Sequence, residues 1–359
     1  MSSAFSRRLR VLTAFAVLVL CAPCFAQDVR IGVLGLFHPR EIAVRAVPGS
    51  ALVVRADDSS FVLEQSSGIE EINVYLDGNT VDVLAKNGAI RARSLTVANR
   101  DDSPADFFLS VPGKITRRYR GTLEVTPLSA SLVTIVSMDL ETAVASIVAA
   151  ESDPDTPLEA LKAQAVATRS YLLAAKGRHH RFDFCDTTHC QFLRTPPDPR
   201  TPPAEAATAT RGLVLAYNTQ PFAAMYTRSC SGRTRTLAEI GLPAGAYPYY
   251  SVECKYCREH PSAWESHVTP REAIRLSSSS EATRLEIDRL LGWGTVPSNN
   301  FTMKRVDDRV LLKGVGEGHG IGLCQSGAAA MAKAGATFTQ ILAHYYPNTS
   351  VTKYVTAKP

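Results

Sequence analysis

The sequence changes from strand-like to helical within residues 139–171, DLETAVASIVAAESDPDTPLEALKAQAVATRSY. In its second half, Thr156 and Glu159 have the spacing of a capping box, and Pro157 stands at the expected first helical position, where a missing N–H has no cost. Apolar residues then recur at helical spacing as far as Gly177, a residue typical of a helix C-terminus. We therefore predict a helix here that packs on a core.

Strands are predicted before this segment and helices after it. Residues 29–34, 72–76 and 121–125 alternate between apolar and polar side chains, with Gly, Asp and Asn between such runs. Further helices are predicted at Thr269, where the Thr-Pro-x-Glu pattern repeats, and at Thr337. The predicted fold class is α+β, with a β-rich N-terminal region, residues 27–118, followed by a mixed α/β domain.

The first residues have the pattern of a secretory signal peptide. Arg7, Arg8 and Arg10 precede an apolar run over residues 11–20, and Cys24-Phe25-Ala26 offers small residues at the −3 and −1 positions. We predict residues 1–26 as the signal peptide, and the alternative is a buried first helix. The run is shorter than the roughly 20 residues that span a bilayer, and no later segment is apolar enough to do so. The predicted location is therefore outside the cytoplasm, in the periplasm or cell envelope.

Charge and composition exclude some classes of partner. The chain is 45% hydrophobic and 20% charged, as in globular proteins. Its formal charge of +5 falls to +2 once the signal arginines are removed. A balance so close to neutral does not favour nucleic acid or an anionic membrane, so we expect neither as a partner.

Glu151 is the first candidate for chemistry. It lies between two predicted helices, just past an apolar stretch. A carboxyl group partly buried at a helix end can have a raised pKa, which a general acid at neutral pH requires. The alternative is an ordinary helix-end carboxylate in solvent.

A second cluster of reactive residues lies within residues 179–191, HHRFDFCDTTHCQ. His179, Cys185, His189 and Cys190 provide the four nitrogen or sulfur ligands of a structural zinc site, with His180 as the rival to His179. A Cys185–Cys190 disulfide with surface histidines is the alternative, and spacing alone leaves the two open.

A third candidate is the glycine-rich segment 314–328, GVGEGHGIGLCQSGA, in which glycine lets the backbone approach a ligand closely. No surrounding strand–turn–helix unit supports a dinucleotide fingerprint. Of the eight cysteines, Cys21 and Cys24 leave with the predicted signal peptide, and besides Cys185 and Cys190 four remain, namely Cys230, Cys254, Cys257 and Cys324. They are compatible with an all-thiolate zinc site or with two disulfides, and export favours disulfides whose pairing the sequence does not specify.

Taken together, several motifs in order resemble the SpoIID/LytB family, named for stage II sporulation protein D. The matching motifs are Ala150-Glu151, EALKAQA at 159–165, THCQ at 188–191, Arg211-Gly212 with Tyr217, GHGIG at 318–322, QSGA at 325–328 and HYYP at 344–347. The resemblance covers residues 119–351 and leaves residues 352–359 as a C-terminal tail. It implies a SpoIID-like α+β catalytic domain and a lytic transglycosylase that cleaves peptidoglycan glycan strands, preferably those stripped of stem peptides.

The resemblance also implies site residues. The family's catalytic glutamate falls on Glu151, and the zinc interpretation of His179, Cys185, His189 and Cys190 is favoured over a disulfide. One glutamate suffices for a lytic transglycosylase because the substrate's own C6 hydroxyl is the nucleophile, giving a 1,6-anhydro end. The candidate sugar-binding residues are Lys162, Gln164, Arg169, Gln191, His319 and Gln325.

Two other functions stay open at this point. LytB-type relatives are described as amidase enhancers, so a non-catalytic wall-binding protein that activates a cell-wall amidase is one alternative. Ordinary glycoside hydrolysis is the other, because it needs a second carboxylate, for which Asp186 and Glu317 are the candidates.

Overall fold

A computed structural model describes residues 27–86, 88–277, 284–292 and 294–354. The predicted signal peptide lies outside these residues. The first half of the described chain is a run of strands: β1 Asp28–Val33, β2 Glu41–Ala46, β3 Leu52–Ala56, β4 Ser59–Leu63, β5 Glu71–Asp77, β6 Thr80–Ala85, β7 Gly88–Ala92, β8 Leu95–Ala98, β9 Ala105–Val111, β10 Ile115–Leu128 and β11 Ser131–Asp139.

The second half contains the helices and several short strands. The helices are α1 Leu140–Glu151, α2 Leu158–Ala174, α3 Pro202–Ala209, α4 Lys255–Glu259, α5 Pro270–Ser277, α6 Arg284–Leu291, α7 Gln325–Lys333 and α8 Phe338–Tyr345. The strands are β12 Phe184–Cys185, β13 Leu213–Tyr217, β14 Gln220–Pro221, β15 Tyr226–Thr227, β16 Ala263–Val268, β17 Phe301–Val306, β18 Arg309–Val315, β19 Leu323–Cys324 and β20 Ser350–Lys353. The predicted α+β class is confirmed.

Strands β1–β12 form one large sheet whose main path runs β12-β1-β11-β10-β9-β2-β5-β6-β7. Strand β9 shows why the sequence makes a sheet, because its residues alternate strictly between buried and half-buried. The predicted boundary between residues 118 and 119 lies inside β10, which pairs with β9 through its first half and with β11 through its second. The β-rich region therefore continues to the start of α1.

Helix α2 lies between two hydrophobic cores. Leu161, Ala165 and Leu172 belong to the core under the large sheet, whereas Ala163 and Val166 belong to a second core rich in aromatic side chains. Helices α1, α3, α7 and α8 all pack against α2. Because neighbouring elements enclose α2 on several sides, its polar side chains are held in fixed positions. Two candidate site residues, Lys162 and Gln164, lie in its first two turns.

The start of α2 differs from the prediction. Its N-cap is Pro157, and no side chain caps it, so the predicted Thr156/Glu159 capping box is wrong. Glu159 instead accepts the N–H of Phe338 at 2.7 Å and pairs with Lys162. The predicted helix itself is confirmed, although it ends at Ala174 rather than at Gly177.

The C-terminal part holds a small separate core and a closing strand. Strands β16–β18 and helices α5 and α6 surround this core, which includes Val268, Leu276 and Leu312. Strand β20 pairs with β13, so the predicted tail from residue 352 begins inside a strand. Among the described residues, every helix is too short or too polar to cross a bilayer.

Candidate active site

Glu151 is the last residue of α1, and its carboxyl group is half-buried at the point where the chain turns toward α2. Its Oε1 accepts the backbone N–H of Phe192 at 2.5 Å. The hydroxyl of Tyr226, from β15, also hydrogen-bonds to this carboxyl group. Three distant segments of the sequence therefore meet at one side chain.

Burial raises the pKa of Glu151 from 4.5 to about 7, while the hydrogen bonds from Tyr226 and Phe192 act in the opposite direction. Desolvation disfavours the charged form, and donors to the carboxylate favour it, so the first effect is the larger here. A carboxyl group with this pKa is substantially protonated at neutral pH. It has the property that a general acid needs.

A small pocket, partly open to solvent, lies beside Glu151. Its lining includes Gln164 of α2 and Gln325 and Ser326 of α7. Gln164 is only 2% exposed, and its Oε1 accepts the Ser152 hydroxyl at 3.2 Å. Within the described part of the chain, its Nε2 is one of the few buried side-chain atoms without a hydrogen-bond partner. That nitrogen is enclosed by protein and lies near the Tyr226 hydroxyl, which also contacts Glu151.

Gln325 and Arg228, which form the far wall of the pocket, contact the last turn of α1. Gln325 donates from Nε2 to the carbonyl oxygen of Glu151 at 2.9 Å, and Arg228 approaches the same oxygen at 3.4 Å. Arg228 also forms an ion pair with Asp153, another residue of the pocket lining. These contacts fix the backbone of Glu151 while its side chain stays at the pocket.

The glycine-rich loop packs directly on the strand that carries Tyr226. Strand β19 pairs in parallel with β15, and the Thr227 hydroxyl both donates to the Glu317 carbonyl and accepts the N–H of Gly320. Gly322 has φ +70°, and a Cβ there would collide with the Met225 carbonyl oxygen. Within this loop, the half-buried His319 accepts the Ile321 N–H on Nδ1 at 3.0 Å.

The four predicted zinc ligands lie together. The ligand atoms of His179, Cys185, His189 and Cys190 are all within 4.8 Å of one another, whereas His180 is exposed and outside the group. His179 Nε2 lies 3.2 Å from Cys190 Sγ, and His189 Nδ1 lies 3.7 Å from Cys185 Sγ and 3.6 Å from Cys190 Sγ. These spacings approach the roughly 3.3–3.8 Å that separates the corners of a tetrahedral zinc site.

The other four cysteines also meet. The sulfurs of Cys230, Cys254, Cys257 and Cys324 are within 4.8 Å of one another, and all four residues are buried. All six cysteines of the described residues are free thiols. The expectation that Cys230, Cys254, Cys257 and Cys324 form two disulfides differs from this structure, in which all four are free thiols.

Lys162 and Arg169 are occupied by protein partners. Lys162 pairs with Glu159 at 2.7 Å, one turn away on α2. Arg169 is 1% exposed, forms a two-point ion pair with Glu141 at 2.8 and 2.6 Å and donates to three backbone carbonyls. Neither residue lines the pocket, so the prediction that they bind sugar has no support in this geometry.

Gln191, Asp186 and Glu317 are also outside the pocket lining. Gln191 is 6% exposed, with an Oε1 that lacks a partner among the described residues. The carboxylate of Asp186 is held by Arg117 at 3.0 Å and by the N–H of Leu34 at 3.1 Å. Glu317 is exposed. Neither carboxylate that we considered for hydrolysis therefore lines the pocket beside Glu151.

Sequence reasoning missed Tyr226, Arg228, Asp153 and the Phe192 N–H. Nothing in the spacing of Tyr226 and Arg228 along the chain connects them with Glu151. Asp153 is two residues from Glu151, and this proximity is the one signal by which the sequence alone could have indicated any of the four.

Comparison with known proteins agrees with the motifs. The family model described as "Stage II sporulation protein" (SpoIID) matches residues 129–217. An uncharacterised protein of Brachyspira hyodysenteriae is 29% identical over 270 residues, which cover 66% of this chain and 73% of that protein. Stage II sporulation protein D of Bacillus subtilis is 23% identical over 65% of this chain and 81% of its own length.

A third relative is the protein named "Amidase enhancer" of Bacillus subtilis. It is 24% identical over 275 residues, which cover 55% of this chain and 38% of that protein. The family match includes α1 with Glu151, helix α2 and the histidine–cysteine cluster, and it ends with β13. The ordered motifs, the family match over residues 129–217 and these relatives together confirm the resemblance to the SpoIID/LytB family.

Proposed function

We propose that this protein is an exported peptidoglycan lytic transglycosylase in which Glu151 is the general acid and base. The observation that carries the proposal is the half-buried carboxyl group of Glu151 at an open pocket, with its pKa raised to about 7 by burial. Similarity to stage II sporulation protein D and to the amidase enhancer supports a role at the cell wall.

The chemistry follows from one carboxyl group. Protonated Glu151 donates its proton to the glycosidic oxygen as the C1–O bond breaks. The substrate's own C6 hydroxyl then bonds to C1, and its proton passes to the Glu151 carboxylate. No water enters, the acid is regenerated, and the new chain end is a 1,6-anhydro sugar. A second carboxylate is unnecessary, which agrees with the positions of Asp186 and Glu317 outside the pocket.

Substrate binding is assigned to the polar side chains at the pocket. Gln164 lines the pocket beside Glu151, so its side chain is a proposed contact for a sugar hydroxyl. Gln325 and Arg228 act differently, since their contacts position the carbonyl of Glu151. His319 and Gln191 remain proposed contacts for a longer glycan strand.

A structural zinc ion fits the first cluster, where His179, Cys185, His189 and Cys190 would hold it. Bound there, the metal would supply only a rigid crosslink. The cluster ends two residues before Phe192, whose N–H holds Oε1 of Glu151. A metal ion in this cluster would therefore keep the Phe192 N–H in position to donate to the Glu151 carboxyl group.

The direct test is digestion of amidase-treated peptidoglycan followed by mass spectrometry of the products. We expect anhydro-muramyl ends with the native protein and their loss with Glu151→Gln, which keeps the side chain's size but has no acidic proton. Lys162→Ala is the matched control, because it removes a polar side chain of α2 outside the pocket. Reducing ends would mean hydrolysis and would contradict the proposal.

A second candidate function rests on the amidase-enhancer relative. In that case the protein binds the wall and activates an amidase without cleaving glycan itself. The same digestion distinguishes the two, because an enhancer alone gives no new glycan ends. Adding a cell-wall amidase and measuring peptide release then shows whether stimulation occurs and whether Glu151→Gln retains it.

A further inference from the structure

Four cysteines that are far apart in the sequence meet at one buried point. Cys230 follows β15, Cys254 and Cys257 lie at the start of α4, and Cys324 ends β19. Their sulfurs are all within 4.8 Å of one another, and Cys257 and Cys324 are 3.4 Å apart. This arrangement depends on three separate segments of the second core.

We propose that Cys230, Cys254, Cys257 and Cys324 form a second metal site, a tetrahedral all-thiolate zinc centre. Zinc bound to four thiolates has Zn–S bonds of about 2.3 Å, so its sulfurs are about 3.8 Å apart, and the cluster needs only small adjustments to reach this. Two disulfides would require two pairs at about 2.05 Å and would give no reason for the pairs to meet each other.

Groups around the sulfurs are arranged as donors to thiolates. Gly327 N–H donates to Cys324 at 3.5 Å, and the Ser229 hydroxyl lies 3.5 Å from Cys257. The Tyr345 hydroxyl lies 3.4 Å from Cys254. Four thiolates around Zn²⁺ leave an excess negative charge, and such donors compensate it in buried sites.

Close packing over the cluster adds an independent observation. Gly327 is in the first turn of α7, and a Cβ there would lie 2.5 Å from Cys254 Sγ and would collide with the Tyr345 hydroxyl. Only glycine lets this turn approach the sulfurs. The same turn begins at Cys324, whose sulfur caps the helix. The helix N-terminus therefore places its positive end at the thiolates.

The proposed centre would join the two segments that form the far wall of the pocket. Cys230 is two residues after Arg228, and Cys324 directly precedes Gln325. Arg228 and Gln325 both contact the carbonyl oxygen of Glu151. A metal ion here would crosslink the segments that carry Arg228 and Gln325, in addition to the short pairing between β15 and β19.

The test measures metal and thiols and does not depend on catalysis. The protein is purified without reductant or chelator, zinc is measured by elemental analysis, and thiols are counted after denaturation with a chelator. For the chain without residues 1–26, which carry Cys21 and Cys24, we expect two zinc ions and six titratable thiols. The Cys185→Ser/Cys190→Ser variant should keep one zinc, and its cobalt-substituted form should show the intense sulfur-to-metal absorption of a four-thiolate site.

Two results would overturn the proposal. One is the loss of four hydrogens in the intact mass, with only the Cys185 and Cys190 thiols left to titrate, which means that these four cysteines are paired as disulfides. The other is a folded Cys185→Ser/Cys190→Ser variant that binds no zinc. Both results are independent of Glu151. If the native protein binds two zinc ions but does not cleave glycan strands, only the proposed function is contradicted. The Cys254→Ser/Cys257→Ser variant should contain one zinc, held by the first cluster, even when its second core has lost its fold.

Discussion

The two cysteine-containing clusters differ in how the chain builds them. The first uses ligands within residues 179–190 and is partly exposed, with His189 at the surface. The second draws its sulfurs from residues 230–324, and every member is buried. Both end next to a group that holds Glu151, the first beside Phe192 and the second beside Arg228 and Gln325. A local cluster can order a loop, whereas a long-range cluster holds segments of the core together.

The largest expected effect comes from removing the second cluster. Cys254→Ser/Cys257→Ser should abolish cooperative unfolding of the second core, because structural zinc contributes about 10–16 kcal/mol in small domains, as much as a whole domain's stability. Thermal unfolding followed by circular dichroism checks this, with Cys185→Ser/Cys190→Ser as the matched pair. Equal losses of thermal stability in the two variants would contradict the predicted difference between the two clusters.

The first cluster should affect cleavage more than folding. Cys185→Ser/Cys190→Ser frees the loop before Phe192, so the N–H that holds Glu151 Oε1 loses its fixed position. We expect a fall in cleavage rate of about 10–100-fold, the range measured when the surroundings of a site are loosened, with a folded protein. Rates and unfolding curves measured on the same sample check it. A rate within twofold of the native value would contradict it.

Tyr226→Phe tests the surroundings of the Glu151 carboxyl group through the pH dependence of cleavage. The Tyr226 hydroxyl stabilises the carboxylate and so lowers the pKa of Glu151, against the larger effect of burial. Removing this hydroxyl should raise that pKa above about 7. Because the acid acts in its protonated form, the fall of cleavage rate at high pH should move to higher pH, with about a tenfold lower maximum. Tyr256→Phe, at an exposed ring, is the control and should leave the profile unchanged.

The smallest effect is expected from Lys162→Ala, which touches neither cluster. Its ion pair with Glu159 is partly exposed, so about 0.5 kcal/mol or less of stability should be lost. Glycan cleavage should be unchanged, since Lys162 does not line the pocket. Chemical denaturation and the product assay check both parts. A tenfold loss of cleavage would return Lys162 to the substrate-binding residues.

Local sequence patterns succeeded where the neighbouring residues alone decide the structure. Thr269 and Glu272 form the predicted reciprocal cap, with bonds of 2.7 and 3.3 Å, and Thr337 and Gln340 form one as well. The same pattern at Thr156 failed because Glu159 is taken by the N–H of Phe338, a residue 179 positions away. A capping box is a weak preference, and a tertiary contact overrides it.

Side-chain roles were harder to predict than helices. Arg169 has the appearance of a surface cation on α2, yet it lies in the core and is held by Glu141. The sequence shows that a charge exists at a position, and only the packing of other helices shows whether it meets solvent, substrate or a partner. Gln164 and Arg169 are five residues apart on one helix and have different surroundings for this reason.

By itself, the sequence determined the α+β class, the family motifs, Glu151 as the candidate acid and the histidine–cysteine cluster, because each is recorded in residues close together along the chain. Only the tertiary structure decided which groups surround Glu151 and that four distant cysteines meet. Desolvation and metal geometry depend on distances between segments that spacing along the chain does not encode.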